Sequence, residues 1–220
     1  MVKRQESFLA LFLCTQRKIW ILKIRLLYYL IIYILKGALL LTCDSLFSTR
    51  DPEPPNNPQS SWEPPLNPEQ VLVNMQNAVF ERNTDNFMRC LIDPQNGSRN
   101  FSFIPDQEVS NNYPGLFTGW AREDERRVTQ QIFAIVPVDS ALFLTFPEII
   151  NEIVTADTAI FIRQYHLEVH HTESAPPVIY EGQIELWLAD VNGEWSIYRW
   201  IDIALAEYSP WTLLKAALGG

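Results

Sequence analysis

Hydrophobic and polar positions follow two different periods along residues 67–205. The earlier part has the period of an α-helix, and the later part has the period of a β-strand. Apolar residues recur at three- and four-residue intervals after Asn67: Val71, Leu72, Met75, Ala78 and Val79. This spacing predicts an amphipathic helix over 68–81, with Asn67 as its N-cap. Similar patterns predict a short helix over 86–91 and a longer helix over 120–133, with a short strand over 101–106 between them.

The later half follows the two-residue period of β-strands. Strands are predicted over 141–146, 158–171, 178–191 and 194–205. Asn192-Gly193, between the last two, is the dipeptide preferred in two-residue hairpin turns. Because such a turn fixes which residues face each other, it also fixes the register of the hairpin.

This register assigns each strand residue to one of two faces of the sheet. The inner face receives most of the apolar residues, and Arg199 falls on it as well. Arg163 takes an apolar position of the preceding strand. Trp187, Tyr198 and Trp200 fall together on the outer face.

A guanidinium group on an apolar face is costly unless it is paired. One interpretation places Arg163 and Arg199 near the mouth of a pocket or pairs them with helix acids such as Glu81 or Asp124. The other is a pocket for a small anionic molecule, whose carboxylate or phosphate arginine binds in a bidentate manner. The sequence leaves both interpretations open.

Three aromatic residues on one outer face would form a large apolar patch if solvent reached them. Trp187, Tyr198 and Trp200 therefore predict either a homodimer or partner interface, or coverage by a C-terminal helix over 209–214 that carries Trp211.

Histidine placement gives no metal prediction. His166 and His170 share a strand face, but four residues of extended chain span about 13 Å, which is too far for one ion. No group of cysteines, histidines and carboxylates has the spacing of a zinc site. We expect solvated histidines, no metal and no cofactor.

The net charge of the chain changes sign near Arg50. Residues 1–50 hold eight Lys/Arg and two acids, a net charge of +6, whereas residues 51–220 hold nine Lys/Arg and 24 acids, a net charge of −15. Phosphate backbones repel so acidic a domain, which argues against nucleic-acid binding. Since 47% of all residues are apolar, we expect a globular domain rather than a disordered one.

The basic N-terminal region is interleaved with apolar residues, as in membrane insertion segments. An uncharged run over 26–35 follows most of the basic residues, which places the N-terminus in the cytoplasm and the domain outside it. Leu40-Leu41-Thr42-Cys43 resembles the lipobox of bacterial lipoproteins. The resemblance implies a signal peptide over 1–43 that is cleaved before Cys43, and lipid attachment at this cysteine. The alternative is an uncleaved signal anchor over 26–41.

Prolines then concentrate between Asp51 and Pro68. Such a stretch favours extended polyproline II structure, so residues 44–67 are predicted to form a semi-rigid tether. We expect Trp62 within it to lie against the surface of the domain.

The order of elements over about residues 68–205, within a domain predicted over 68–220, resembles the nuclear transport factor 2-like (cystatin-like) superfamily. The resemblance rests on two helices, a strand, a helix and then long antiparallel strands ending in a tight hairpin. It implies an α+β fold whose N-terminal helices pack on a strongly bent, mainly antiparallel sheet. It also implies an internal pocket and frequent dimerisation through the outer sheet face.

The arrangement of leader, tether and domain also resembles uncharacterised lipoproteins of the bacterial cell envelope. We therefore expect a membrane-anchored protein with a non-catalytic binding or assembly domain on the non-cytoplasmic side. The alternative is an isomerase- or cyclase-like enzyme that acts on a small hydrophobic acid in the pocket. Against the enzyme, the register places no carboxylate or histidine on the inner face to act as a general base.

Overall fold

The structure, a computed structural model, describes four ranges of the chain: residues 25–34, 60–95, 99–173 and 176–219. They fall into two compact units, residues 1–56 and residues 57–220, and each unit is considered by itself.

In the first unit, residues 25–34 form a helix, α1, with nearly all of its side chains exposed. Among the residues that the structure describes, no helix has both the length and the apolar character needed to cross a membrane. The predictions for Cys43, for the rest of segment 1–43 and for residues 44–59 of the tether lie outside the described residues.

The second unit contains five helices and five strands in its described ranges. The helices are α2 (Pro68–Phe80), α3 (Thr84–Arg89), α4 (Gln107–Asn112), α5 (Arg122–Ile135) and α6 (Trp211–Gly219). The strands are β1 (Ser102–Ile104), β2 (Leu142–Val154), β3 (Thr158–Val169), β4 (Ile179–Val191) and β5 (Glu194–Ala204).

The strands form one mixed sheet in the order β1-β5-β4-β3-β2. The short strand β1 pairs parallel to β5, and every other neighbouring pair is antiparallel. The predicted α+β fold with a mainly antiparallel sheet is therefore confirmed.

Helix caps explain where α2 and α4 begin. The Asn67 side chain accepts a hydrogen bond from the Gln70 backbone N–H at 2.9 Å, so the predicted N-cap of α2 is confirmed. Helix α4 lies between the predicted strand over 101–106 and the predicted helix over 120–133, where the sequence predicted no helix or strand. Asp106 begins it by accepting hydrogen bonds from the backbone N–H groups of Glu108 and Val109.

Strand β2 extends well past its predicted end at residue 146. It continues to Val154 because the pairing with β3 resumes after two irregularities, between Thr145 and Glu148 and between Ile149 and Asn151. As an edge strand, β2 tolerates Pro147 in the first of them.

The hairpin of β4 and β5 contains a β-bulge that the predicted register lacked. The turn at Asn192-Gly193 is confirmed, and Leu188 pairs with Ile197 as predicted. Beyond it the register shifts by one residue, so Trp187 pairs with Arg199 instead of Tyr198. An extra residue in one strand reverses which face the following side chains occupy, so the predicted faces from Arg199 onward were wrong.

We call the face of the sheet that carries the buried side chains of β3 the inner face, and the opposite one the outer face. Phe161, Tyr165 and Leu167 on the inner face are fully buried. Helix α2 contributes five apolar side chains to the same core, namely Val71, Leu72, Met75, Ala78 and Val79.

Residues 60–66, which we call the strap, lie along the second unit ahead of α2. The strap is fixed at both ends: Ser61 N–H donates to Glu81 Oε1 at 2.7 Å, and the Trp195 backbone N–H donates to the Pro65 carbonyl at 2.8 Å. Between them Trp62 packs against the core, as expected from the sequence.

Candidate functional site

A hydrogen-bonded cluster of polar groups lies on the inner face, centred on Asp202. The Tyr165 hydroxyl donates to Asp202 Oδ1 at 2.8 Å, and Thr212 donates to Oδ2 through both its backbone N–H and its hydroxyl, each at 2.6 Å. The Trp211 backbone N–H in turn donates to the Tyr165 hydroxyl at 2.6 Å. The carboxylate therefore joins the sheet to the first turn of α6.

Asp202 reaches this face because of the bulge, since the predicted register placed it on the outer face. Burial raises its pKa, and the hydrogen bonds from Thr212 oppose that rise. Burial also raises the pKa of Tyr165, with the Asp202 charge adding to the shift. The tyrosine consequently stays neutral and donates its proton in the hydrogen bond.

A second polar pair lies deeper under α6. Lys215 Nζ lies 2.8 Å from Glu125 Oε1, and both side chains are fully buried. The Trp120 indole N–H donates to the other oxygen, Glu125 Oε2, at 3.0 Å. The ammonium also lies 3.6 Å from the ring centroid of Trp200 and 3.7 Å from that of Phe103. A cation over aromatic faces gains electrostatic stabilisation that partly replaces lost hydration.

Burial lowers the pKa of Lys215, while the adjacent Glu125 carboxylate opposes that shift. The Asp202 carboxylate and the Lys215 amine, whose pKa values are both shifted, are groups that could perform acid–base chemistry. Here, however, Trp211, Leu214 and Lys215 of α6 are themselves buried and cover the inner face. The carboxylate oxygens of Asp202 and Glu125 contact partners inside the domain.

Arg163 lies on the inner face, as the sequence predicted, and it is paired. Its Nη2 atom donates to Glu69 Oε2 at 2.6 Å and also contacts the carboxylate of Glu152. These acids come from the first turn of α2 and from the edge strand β2, not from the predicted partners Glu81 and Asp124. Arg163 thus links helix and sheet instead of lining an open pocket.

The inward prediction for Arg199 was wrong, because the bulge turns this residue to the outer face. There its guanidinium carbon lies 5.5 Å from the ring centroid of Trp187. The outward prediction for Trp200 was wrong for the same reason, since this side chain is fully buried and 4.8 Å from Trp211 between ring centroids. Trp187 and Tyr198 are half-buried, with their ring centroids 6.4 Å apart.

His166 and His170 are part of a carboxylate network and are not simply solvated, whereas His171 Nε2 contacts the Pro177 carbonyl at 3.0 Å. His166 contacts Glu181 through Nδ1 at 2.6 Å and Glu168 through Nε2 at 2.9 Å, while His170 Nε2 contacts the second oxygen of Glu168 at 2.8 Å. These carboxylates raise the pKa of His166. Within the described ranges, no group of three or more His, Cys, Asp or Glu side chains has the arrangement of a metal site.

Sequence reasoning missed both members of the buried Lys215–Glu125 pair. A signal for Glu125 existed: it recurs with Val128, Thr129 and Ile132 at helical spacing, and these four are the buried residues of α5. Lys215 likewise stands between apolar residues of α6. A charged residue inside an apolar helical stripe indicates a buried, paired group.

No protein-family model matches the sequence, and no curated protein matches it. Solved structures are similar in fold. A candidate aromatic ring hydroxylase from Novosphingobium aromaticivorans aligns with a TM-score of 0.50 at 14% identity, over 67% of this chain and 92% of its own.

Two further neighbours have descriptions that state their fold. A candidate dehydratase of the nuclear transport factor 2-like family from Streptomyces avermitilis has a TM-score of 0.45 at 11% identity, over 62% of this chain and 92% of its own. A protein of unknown function with a cystatin-like fold from Nostoc punctiforme has a TM-score of 0.44 at 8% identity, over 64% and 90%. At these identities the likeness concerns the fold alone.

Proposed function

We propose that this protein is a membrane-tethered lipoprotein of the bacterial cell envelope whose α+β domain serves binding or assembly, not catalysis. The observation that carries the non-catalytic part is the position of α6. Trp211, Leu214 and Lys215 occupy the inner face, where an isomerase- or cyclase-like enzyme would need an open pocket.

The internal hydrogen bonds of the Asp202 and Glu125 carboxylates support the same proposal. A general base must reach the proton that it removes, either directly or through one water molecule. Both Asp202 oxygens accept hydrogen bonds from Tyr165 and Thr212, and Glu125 is held by Lys215 and Trp120. Arg199, a candidate ligand-binding residue by sequence, lies on the outer face.

For assembly, the favoured surface is an apolar row on the outer face, which we call the outer patch: Ile153, Ile160, Ile162, Trp187 and Ile201. In the register of the sheet Ile153 pairs with Ile160, and Ile160 pairs with Trp187, so their side chains are neighbours across three strands. Ile153 is exposed and the other four side chains are half-buried, so solvent reaches the whole row. Solvent-accessible apolar rows of this kind indicate an interaction surface.

A second copy of the chain is the proposed partner for the outer patch. Glu185 and Arg199 flank Trp187 on the same face and carry opposite charges. Under two-fold symmetry the same surface meets itself, so the arginine of one copy can lie against the glutamate of the other. This composition is self-complementary and supports a homodimer.

The test is the mass of the full chain in detergent, measured by light scattering for wild type and for the double variant Trp187→Ser/Ile201→Ser. We expect a dimer that becomes a monomer in the variant. Phe80→Ser is the control, because Phe80 is also apolar and is more exposed than Trp187 or Ile201, but lies on α2. A monomeric wild type, or a variant that remains dimeric, would contradict the homodimer.

The tether is tested separately by mass spectrometry of the membrane fraction. The proposal requires diacylglycerol on Cys43 and loss of residues 1–42, and it requires both changes to disappear in Cys43→Ser. Stable anchoring by acyl chains needs more than one chain, each adding about 0.8 kcal/mol per buried CH₂. An intact N-terminus in the wild type would contradict lipid attachment and indicate an uncleaved signal anchor.

A further inference from the structure

A cleft on the second unit opens between the strap, the end of α3, the start of α5 and the tip of the hairpin of β4 and β5. Its volume is about 380 Å³, within the range of small-molecule sites. Leu91, Ile92 and Trp195, all buried, supply apolar surface to its lining. The hydrogen bond from Trp195 to Pro65 holds two of its walls together.

Two arginines line this cleft without an acidic partner. Arg89 lies over the ring of Trp62, with its guanidinium carbon 3.9 Å from the ring centroid. Arg122 donates one hydrogen bond, from Nη2 to the Met88 carbonyl at 2.9 Å, and its buried Nε has no partner. Among the described residues, neither arginine forms an ion pair, whereas Arg126, Arg127 and Arg163 all do.

Unpaired arginines are unexpected in this part of the chain, because residues 51–220 carry 24 acidic side chains against nine basic ones. The guanidinium of Arg89 donates one long hydrogen bond, from Nη1 to Asn86 Oδ1 at 3.5 Å. Its stacking over Trp62 uses the face of the group and not its edge, so most of its N–H donors stay free. Donors held in place beside an apolar lining form the usual composition of a ligand pocket.

From this geometry we propose that the cleft binds the carboxylate of a small organic monoacid, with Arg89 and Arg122 as the carboxylate-binding residues and an apolar body of the ligand on Leu91 and Trp195. The proposal goes beyond the assembly role, which concerns the outer patch.

The acids at the cleft decide the charge of the ligand. Asp93 and Glu194 line it together with the two arginines, so the formal charge of the lining sums to zero. A doubly charged phosphate would gain from the arginines but be repelled by both acids. A singly charged carboxylate forms the same bidentate contact with less repulsion.

The test uses the full chain in detergent and 4-fluorobenzoate as the probe, followed by the transverse relaxation of its fluorine signal. The neutral 4-fluorobenzamide measures partition into micelles. We expect protein-dependent relaxation for the acid only. Arg89→Gln should weaken binding by about tenfold, the value of one charge-assisted hydrogen-bonded contact. Arg89 is exposed, so this substitution leaves the core intact.

Two further variants separate binding from folding. Ser196→Trp keeps both arginines but fills the cleft that Ser196 lines, and it should abolish the effect. Arg99→Gln is the matched control, because Arg99 is an exposed arginine that stacks on Tyr198, 4.5 Å from its ring centroid, and is absent from the cleft lining.

Three results would overturn the proposal: equal relaxation for acid and amide, unchanged binding in Arg89→Gln and Ser196→Trp, or displacement of the probe by an equal concentration of inorganic phosphate. None of these results bears on the mass of the assembly, so failure here and failure of the proposed homodimer are distinguishable.

Discussion

Lys215 Nζ and Glu125 Oε1 are 2.8 Å apart at a point that solvent does not reach, and their contact joins α6 to α5. Since both charges are buried, each depends on the other: removal of one leaves an uncompensated charge in the interior, whereas removal of both leaves none. The packing of α6 over the inner face is therefore sensitive to substitution of Lys215 or Glu125 alone.

We expect Lys215→Met to lower the free energy of unfolding by about 3–5 kcal/mol, the cost of breaking a buried ion pair. The double variant Lys215→Met/Glu125→Gln should recover a large part of this loss, because no buried charge remains. Urea unfolding of the two variants measures the loss in the free energy of unfolding and its recovery. Arg126→Met is the control, since its contact with Asp85 is exposed and is worth less than about 1 kcal/mol. A double variant no more stable than Lys215→Met would contradict this account.

Because of the bulge in β5, we expect a large loss of stability when one tryptophan of the hairpin is replaced and a small loss when another is replaced. Trp200→Ser should cost about 3–5 kcal/mol, because it removes a fully buried ring beside Trp211. Trp187→Ser should cost much less, since Trp187 is only half-buried on the outer face. Thermal unfolding of the two variants distinguishes the registers: an uninterrupted hairpin would place both tryptophans on one face and give similar losses.

Gly182 in β4 leaves no room for a side chain. A Cβ atom there would lie 2.5 Å from the Tyr165 hydroxyl oxygen and 2.8 Å from the Ile203 carbonyl oxygen. We expect Gly182→Ala to cost about 1–3 kcal/mol through overpacking. Calorimetry of Gly182→Ala in wild-type and Tyr165→Phe backgrounds should show only partial rescue by Tyr165→Phe, because the clash with the backbone of Ile203 remains. Full rescue would mean that the hydroxyl alone excludes a side chain.

The network of His166, Glu168, Glu181 and His170 predicts a dependence of stability on pH. Carboxylates raise the pKa of His166, so its contribution is fully present below the unfolded-state pKa of about 6.5 and is lost as pH rises through the higher folded-state value. The histidines lower the pKa of Glu168, whose contribution is lost as pH falls through that lowered value.

We therefore expect the wild-type melting temperature to fall between about pH 6 and about pH 8.5 by more than that of His166→Gln. Calorimetry at both pH values measures the difference, and a nuclear magnetic resonance titration of His166 supplies its pKa directly. Parallel pH profiles in the two proteins would show that the network contributes no pH-dependent stability.

The elements with local signals were predictable from the sequence. The cap at Asn67 and the turn at Asn192-Gly193 depend only on residues next to each other, and both are present. The bulge at Tyr198 and Arg199 has no comparable local signal, because β-branched, aromatic and charged residues surround it on both sides. One extra residue there was enough to misplace Arg199, Trp200 and Asp202.

For the candidate sites, the sequence supplied residue types but few partners. Arg163 was placed correctly on the inner face, yet its partners Glu69 and Glu152 lie 94 and 11 residues away and depend on how α2 and β2 meet. The strap and the cleft depend on contacts such as that of Pro65 with Trp195, which no periodicity encodes. Tertiary packing decided these features.

The parallel pairing of β1 with β5 sets an order for folding. Ser102 pairs with Arg199, and the Asp106 N–H donates to Thr212 Oγ1 across 106 residues of chain. Closing so long a loop costs entropy before the new contacts repay it, whereas the hairpin of β4 and β5 closes through two residues. We expect the hairpin to form early and β1 to join its edge late, together with α6, so that the inner face becomes closed in the last step of folding.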